Sequence, residues 1–210
     1  MNFVGPSQSL STVIIDKLNM IMDKEPNKKW AAVFDIDETL LLNLADDRVR
    51  KNPDTAKVVT WLREHGVKLF AVTARSFTNG IREYSLQQLQ AVGHNDYDED
   101  SIGLTYDNYE DFSRSWCKYR WRIKIMREGH EILLNAGDNF SDLFVLQEND
   151  PDILDRVHEI NGENLVNGID LMELKRQYDN DSQEYLFTED PTQYRTSRLS
   201  WKLPNTYTVK

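Results

Sequence analysis

The chain has 210 residues, 40% of them hydrophobic, and carries 25 basic against 35 acidic side chains, a formal net charge of −10. A chain of this size can bury a sizeable core without structural crosslinks, and its single cysteine excludes an internal disulfide. The negative charge disfavours broad binding to nucleic acid, which requires a positive surface along the phosphate backbone. The sequence shows neither a membrane-spanning apolar stretch nor a secretory signal pattern, so we expect a cytoplasmic protein without membrane association.

The first half of the chain alternates between predicted helices and strands. Apolar residues at helical spacing over 10–22 predict an N-terminal helix, with outer limits of 7–24, that packs on the core. Apolar runs without polar alternation predict strands buried on both faces, and a proline at a helix start or a glycine after a helix end marks the helices. These signals predict strand, helix, strand and helix at residues 31–34, 52–66, 67–72 and 79–92.

The second half continues this alternation. After an acidic loop at 95–101, the pattern predicts strand, helix and strand at residues 102–105, 112–128 and 131–136. Strands separated by helices form parallel sheets with helices on both faces. We therefore expect an α/β fold with a three-layer, Rossmann-like arrangement.

The pattern weakens after this predicted core, which we place at about 30–145. A short helix is expected at 143–146, and a strand and a helix within 165–178. The segment 146–210 is predicted to be an extension that packs on the core or wraps around it, with an irregular last part. We expect the whole chain, 1–210, to be one domain.

Polar side chains follow three of the predicted strands. The sequence Asp35-Ile36-Asp37-Glu38-Thr39 follows the first, Thr73-Ala74-Arg75 the second, and Gly137-Asp138-Asn139-Phe140-Ser141-Asp142 the last. Because ligands of parallel sheets bind beyond the carboxyl ends of the strands, we expect these groups in one crevice. Clustered carboxylates repel one another unless a cation lies among them or some are protonated. Oxygen ligands without nearby histidine or cysteine favour a hard cation, and we expect Mg²⁺.

Each of these groups alone is also compatible with an ordinary helix cap or loop, where aspartate and threonine are common. Three such groups in order, each at the same end of its strand, favour a shared site. The sequence therefore predicts that the carboxylates of Asp35, Asp37, Asp138 and Asp142 cluster around a metal ion.

These motifs resemble the haloacid dehalogenase-like (HAD) phosphatases, and more narrowly the class B and class C acid phosphatases of subfamily III. Residues 35–41 are similar to the first motif of that branch, in which many relatives carry glycine in place of Glu38. Residues 70–73 resemble the second motif, and residues 137–142 resemble its metal-binding Gly-Asp-x-x-x-Asp. Lys118 stands where the lysine of the third motif is expected. Residues 200–205 are also similar to the closing segment of acid phosphatases.

The resemblance implies hydrolysis of a phosphomonoester through an aspartyl-phosphate intermediate. Asp35 would be the nucleophile that attacks phosphorus. Asp37 would protonate the leaving oxygen and later take a proton from the hydrolytic water. Mg²⁺ held by the Asp35 carboxylate, the Asp37 carbonyl and Asp138 would neutralise phosphate oxygens, with Asp142 orienting these ligands.

The resemblance also implies how the phosphate binds. Thr73 would donate a hydrogen bond to a phosphate oxygen, and the neighbouring Ala74 would also contact the substrate. Lys118 would balance the charge of the phosphoryl group during its transfer. Basic residues crowd the predicted helix at 112–128. Arg122 lies one turn after Lys118 on the same face and is the alternative phosphate ligand.

The intervals from Asp35 to Thr73 and from Thr73 to Lys118 are used by predicted helices, strands and loops, so no large cap domain is expected. In this family, inserted caps select substrates, and the resemblance therefore implies an open site. We expect a small phosphorylated metabolite or a nucleotide as substrate. Several aromatic side chains are candidates for stacking a nucleobase, although such clusters more often form core: Trp116, Tyr119, Trp121, Trp201 and Tyr207.

Three other functions stay open at this point. The first is a phosphatase that acts on a macromolecule, either a phosphoprotein or a nucleic acid end, and the negative charge disfavours nucleic acid. The second is a phosphotransferase that passes the phosphoryl group to an acceptor other than water. The third is a non-catalytic binding protein on a phosphatase fold, which the intact motifs disfavour. The sequence predicts no oligomeric state.

Overall fold

The computed structural model describes residues 9–44, 48–105, 114–143, 165–167 and 197–203. Its elements in chain order are α1 (Leu10–Lys24), β1 (Trp30–Phe34), β2 (Leu41–Asn43), β3 (Val49–Lys51), α2 (Pro53–Glu64), β4 (Lys68–Ser76), α3 (Ile81–Ala91), β5 (Ile102–Thr105), α4 (Arg114–Arg127), β6 (Glu131–Gly137), α5 (Phe140–Leu143), β7 (Leu165–Asn167) and β8 (Ser197–Lys202). Within these ranges, no helix is long and apolar enough to cross a membrane.

Six strands of the described residues form a parallel sheet in the order β5-β4-β1-β6-β8-β7. All five residues of β1 are buried, because the strand lies in the middle of the sheet with helices on both faces. Ala32 and Phe34 pack in the core that contains α1 and α2, whereas Ala31 and Val33 pack with Ile125 of α4. The predicted three-layer α/β fold is therefore confirmed.

Two parts of the structure correct the sequence analysis. A two-stranded antiparallel hairpin, β2–β3, follows β1 and was not predicted. Residues 197–202, predicted to belong to an irregular tail, form β8 between β6 and β7. The prediction was wrong there because the alternation in Ser197-Arg198-Leu199-Ser200-Trp201-Lys202 is a strand signal, with Leu199 and Trp201 both buried.

Other predicted elements are confirmed with small shifts in their ends. The strand expected within 165–178 is present as β7. α5 spans Phe140–Leu143, so only Leu143 of the helix predicted at 143–146 is described, and that prediction is not tested. The predicted positions 144–146 and 168–196 lie outside the described residues. β1 and β4 are separated in the described chain by the hairpin and α2, without an inserted cap domain.

Candidate active site

The carboxyl ends of β1, β4 and β6 carry the predicted site residues. Asp35 directly follows β1, and its backbone N–H donates to the Ala136 carbonyl of β6 at 3.0 Å. Asp138 directly follows β6, and Thr73 lies within β4. All three side chains are buried. The sheet therefore brings the three motifs to one edge, as the sequence analysis expected.

Lys118 of α4 links two of the predicted carboxylates. Its Nζ lies 3.1 Å from Asp35 Oδ1 and also donates a hydrogen bond to Asp142 Oδ1. The three side chains are between 2% and 6% exposed. Because so little solvent reaches this group, the ammonium and the two carboxylates interact strongly.

Asp35, Asp138 and Asp142 form a group that could hold a metal ion, since one carboxylate oxygen from each lies within 4.8 Å of the others. Asp142 is already held by the protein on both oxygens: Oδ1 accepts from Lys118, and Oδ2 accepts from the Asn139 N–H at 2.8 Å. Asp138 accepts a hydrogen bond from Asn139 Nδ2 at 3.2 Å. A donor set made only of carboxylate oxygens fits a hard divalent cation.

Gly137 makes the close return of the Asp142 side chain possible. A Cβ atom at this position would lie 2.3 Å from Asp142 Oδ2, a distance at which non-bonded atoms overlap. Asn135 Nδ2 donates a hydrogen bond to the Asp142 carbonyl at 3.0 Å. The glycine of the motif is therefore required by packing within the site rather than by an unusual backbone angle.

Burial and neighbouring charges control the ionisation of Asp35. Burial, together with the carboxylates of Asp142 and Asp37, raises the pKa of Asp35 from 3.8 to about 7, against the opposing effect of Lys118. The carboxyl group consequently keeps its proton to unusually high pH in the metal-free protein. A cation bound beside it would favour the ionised form.

Asp37 lies next to this group but has different partners. Its carboxylate accepts two hydrogen bonds from the Arg75 guanidinium, at 2.9 Å from Nε and 2.8 Å from Nη2, and one from Asn43 Nδ2 at 3.2 Å. Burial opposes the charge of Asp37, but the hydrogen bonds and charge of Arg75 outweigh burial and lower the pKa of Asp37. The third arm of Arg75, Nη1, donates to Ser85 Oγ of α3 at 2.8 Å.

Arg75 and Asn43 are functional candidates to which the sequence analysis gave no role. Arg75 was part of the motif quoted after the second predicted strand, so its pairing with a motif-one carboxylate could have been considered. Asn43 lies in the hairpin that was not predicted, and its position gave no signal in the sequence.

A bulge in β4 displays Thr73, Ala74 and Arg75. Val72 pairs with Gly103, and the next paired residues are Ser76 and Thr105. The segment of β4 between these pairs is therefore longer than the segment of β5 that it faces. The Thr105 hydroxyl donates to the Ala74 carbonyl at 3.0 Å and so satisfies one backbone group that the bulge frees from the sheet. Bulges of this kind redirect side chains next to active sites.

Arg122 occupies a different place from Lys118. It is completely buried, and its Nη1 donates to the Asp142 carbonyl at 2.7 Å. Burial lowers the pKa of Arg122 to about 10. The structure thus brings Lys118 to the Asp35 carboxylate, whereas the described contact of Arg122 supports the backbone of the Asp142 turn.

The aromatic residues considered for stacking do not form a described platform at the site. Trp201 is 1% exposed and belongs to the core. Trp121 packs against Gly103, and its Nε1 donates to the Leu104 carbonyl at 2.9 Å. Tyr119 is half-buried on α4. The side chain of Trp116 and the whole of Tyr207 lie outside the described part of the chain.

Glu38 has a backbone conformation that suits glycine. Its φ is 54°, in the left-handed region, which costs a residue with a Cβ about 1 kcal/mol. Its buried side chain offsets part of this cost, because Oε1 accepts a hydrogen bond from the Asn43 N–H at the end of β2, 3.0 Å away. The residue therefore combines local strain with a contact that holds the hairpin.

We expect Glu38→Gly to be more stable than Glu38→Ala by about 1 kcal/mol, because both variants lose the hydrogen bond and only glycine relieves the backbone. Urea unfolding of the two variants measures this difference in the free energy of unfolding. Equal stabilities would show that the left-handed backbone at Glu38 carries no strain.

Comparisons with known proteins identify the family and support the fold. The profile of the "HAD superfamily, subfamily IIIB (Acid phosphatase)" family matches residues 44–209, a range that begins after Asp35 and Asp37. The structure of the class C acid phosphatase from Bacillus anthracis is similar, with a TM-score of 0.52 and 17% identity over 88% of this chain and 78% of that chain, which supports the fold. No curated protein matches significantly. Because the family match covers most of its length, the chain belongs to the HAD superfamily subfamily IIIB acid phosphatases and is a phosphomonoester hydrolase.

Proposed function

We propose that the enzyme hydrolyses a small phosphorylated metabolite or nucleotide, with Asp35 as nucleophile and Mg²⁺ as cofactor. The observation that carries this proposal is the buried contact of Lys118 with Asp35, inside a carboxylate cluster at the carboxyl edge of the sheet. A lysine and several acidic residues at this edge form a site that attracts both an anionic phosphate and a cation. We further propose that the chain is a single domain.

The nucleophilic step uses the carboxylate of Asp35. One of its oxygens attacks phosphorus in line with the leaving oxygen, the P–O bond of the ester breaks, and an aspartyl-phosphate forms. Water then attacks this intermediate, releases inorganic phosphate and restores Asp35. The ionised form of Asp35 is needed for attack, although burial raises its pKa to about 7. Lys118, 3.1 Å away, favours that form.

We propose that Asp35 and Asp138, with the carbonyl of Asp37, hold the cation. Mg²⁺ suits these oxygen donors, and when bound it would reduce the repulsion between the attacking carboxylate and the phosphate oxygens. Asp142, engaged on both oxygens by Lys118 and the Asn139 N–H, orients the neighbouring groups.

Asp37 is the proposed proton donor to the leaving oxygen and the proposed base toward water. Its side chain is 36% exposed, more than that of Asp35. This exposure suits a residue that must contact the leaving group of the substrate. Arg75 lowers the pKa of Asp37 and holds it ionised in the free enzyme, the form that acts as base. Donation to the leaving oxygen therefore favours acidic conditions, in which Asp37 can acquire a proton.

Thr73 and Ala74, on the bulge of β4, and Lys118 are the proposed phosphate ligands. Thr73 is 1% exposed and its Oγ1 accepts from the Arg75 N–H at 3.3 Å, which fixes the side chain near the edge of the sheet. The burial of Arg122 and its contact with a backbone carbonyl support a structural role for that residue instead.

We expect Mg²⁺ to raise the turnover of the metal-stripped enzyme by about 100-fold or more over its turnover in excess chelator. The reason is that charge neutralisation by the cation stabilises the transition state by several kcal/mol. The assay measures phosphate release from nucleoside monophosphates, sugar phosphates, a phosphoserine peptide and a 5′-phosphorylated oligonucleotide. We expect the small substrates to have the higher kcat/KM. Full activity in chelator would overturn the proposed cofactor, and a preference for the peptide or oligonucleotide would overturn the proposed substrate class.

A further inference from the structure

The guanidinium of Arg75 joins Asp37 to α3. Its Nε and Nη2 donate to the two oxygens of the Asp37 carboxylate, at 2.9 and 2.8 Å. Its remaining arm, Nη1, donates to Ser85 Oγ of α3 at 2.8 Å. A bidentate pair of this kind fixes the orientation of the carboxylate relative to the guanidinium. Whatever holds the guanidinium therefore also holds the Asp37 carboxylate.

Ser85 presents an oxygen lone pair to this guanidinium. Its hydroxyl donates to the Ile81 carbonyl, one turn earlier in α3, at 2.8 Å. A serine hydroxyl has one proton to donate, and the bond to Ile81 uses it, so the oxygen can act only as acceptor toward Arg75. Ser85 is 0% exposed and cannot contact a substrate. Its influence on the reaction must therefore pass through Arg75, the site residue that it contacts.

The backbone of Arg75 is fixed separately from its side chain. The Thr105 hydroxyl of β5 donates to the Ala74 carbonyl at 3.0 Å and lies 3.4 Å from the Arg75 carbonyl. The Arg75 side chain is 14% exposed, so little water competes for its N–H groups. With the backbone held by β5 and the guanidinium held by α3, Arg75 meets Asp37 in one defined orientation.

We propose that Ser85 is a positioning residue for Asp37 and acts through Arg75. The inference rests on the proposed function, in which Asp37 protonates the leaving oxygen. A proton donor must lie within hydrogen-bond reach of the atom that it protonates, and a displacement of about 1 Å can cost about 100-fold in rate. Without the Ser85 hydroxyl, Nη1 loses its acceptor, and the guanidinium no longer holds the carboxylate in a single alignment.

Two kinds of leaving group reveal this role. The alkoxide of benzyl phosphate is strongly basic and must receive a proton as the P–O bond breaks. The phenolate of 4-nitrophenyl phosphate is weakly basic and can leave without one. Because Ser85 is buried, it does not distinguish the two substrates by contact. kcat/KM is the suitable measure, since it covers the steps up to formation of the aspartyl-phosphate and excludes the later hydrolysis that both substrates share.

Ser85→Ala is expected to lower kcat/KM about tenfold for benzyl phosphate and less than about threefold for 4-nitrophenyl phosphate. Ser85→Thr keeps a hydroxyl that can bond to the carbonyl one turn earlier, so it should restore the wild-type ratio of the two values within about threefold. Ser101→Ala is the matched control and should leave the ratio unchanged. It also removes a buried serine hydroxyl, which is 1% exposed in the wild-type protein and donates to the Asp98 carbonyl just before β5.

Asp37→Asn separates this inference from the catalytic assignment. We expect it to slow benzyl phosphate far more than 4-nitrophenyl phosphate. If it slows both equally, the proton-donor role in the proposed function fails, and the role of Ser85 fails with it. If Asp37→Asn discriminates but Ser85→Ala does not, the positioning role is overturned while the assignment of Asp37 stands. The same conclusion follows if Ser101→Ala or Ser85→Thr discriminates as strongly as Ser85→Ala.

Discussion

Asp35→Asn is expected to lower kcat by about 10⁴-fold or more, because the amide cannot form the covalent intermediate while it keeps the size of the side chain. Phosphate release from the best substrate in the panel measures the effect. Asp16→Asn, an exposed position on α1, is the matched control and should leave kcat unchanged. Turnover by Asp35→Asn close to that of wild type would mean that another group attacks phosphorus.

The same variant should change the dependence of stability on pH. The pKa of Asp35 is raised from 3.8 to about 7 in the folded protein, so the folded state binds this proton more tightly than the unfolded state does. Its contribution to stability is therefore full below about pH 4 and decreases as pH rises toward 7. Urea unfolding of metal-free protein should show this decrease in wild type and a flatter profile in Asp35→Asn. Identical profiles would contradict the raised pKa.

Lys118→Met is expected to lower the free energy of unfolding by about 3–5 kcal/mol, because it leaves Asp35 and Asp142 buried without their counter-charge. Methionine keeps most of the apolar stem, so the loss reports charge rather than volume. For a protein of this size, the expected decrease in Tm is on the order of 10 °C. We expect kcat to fall by about 10²- to 10³-fold at a temperature where the variant is folded.

Lys124→Met is the control on the same helix. Lys124 is 57% exposed, and its Nζ lies 3.9 Å from Glu128 Oε1. An exposed ion pair of this kind contributes less than about 1 kcal/mol to the free energy of unfolding. The double variant Asp35→Asn/Lys118→Met should be less destabilised than the sum of the single variants, since each single change removes the same interaction. Additive effects, or a Lys118→Met variant as stable as Lys124→Met, would refute the buried coupling.

The sequence predicted the parallel sheet and the meeting of Asp35, Thr73 and Asp138 at its edge because these features depend on local signals. Each strand is an apolar run, and each motif directly follows one. Lys118 required the family resemblance, since its contact with Asp35 joins residues far apart in the chain. The pairing of Asp37 with Arg75 depends on the bulge of β4, and nothing in the apolar pattern of residues 67–72 indicates that bulge.

The parts that were missed depend on tertiary contacts. β2 and β3 have three residues each, too few for a periodic pattern, and the hairpin also contacts residues far away in the chain: Lys51 Nζ of β3 donates to the Gly93 carbonyl at 3.4 Å. β8 has a readable alternation, yet its place between β6 and β7 follows from pairing with strands distant in sequence.

The placement of β8 has a consequence for biosynthesis. β6 carries Asp138 at its end and pairs on one side with β1, but its other neighbour is made only after the ribosome has passed residue 202. Until then, the buried backbone of β6 is an open edge that can pair with other nascent chains. The sheet beside Asp138 is therefore completed only after residues 197–202 have been made, and the chain most needs protection from aggregation before that point.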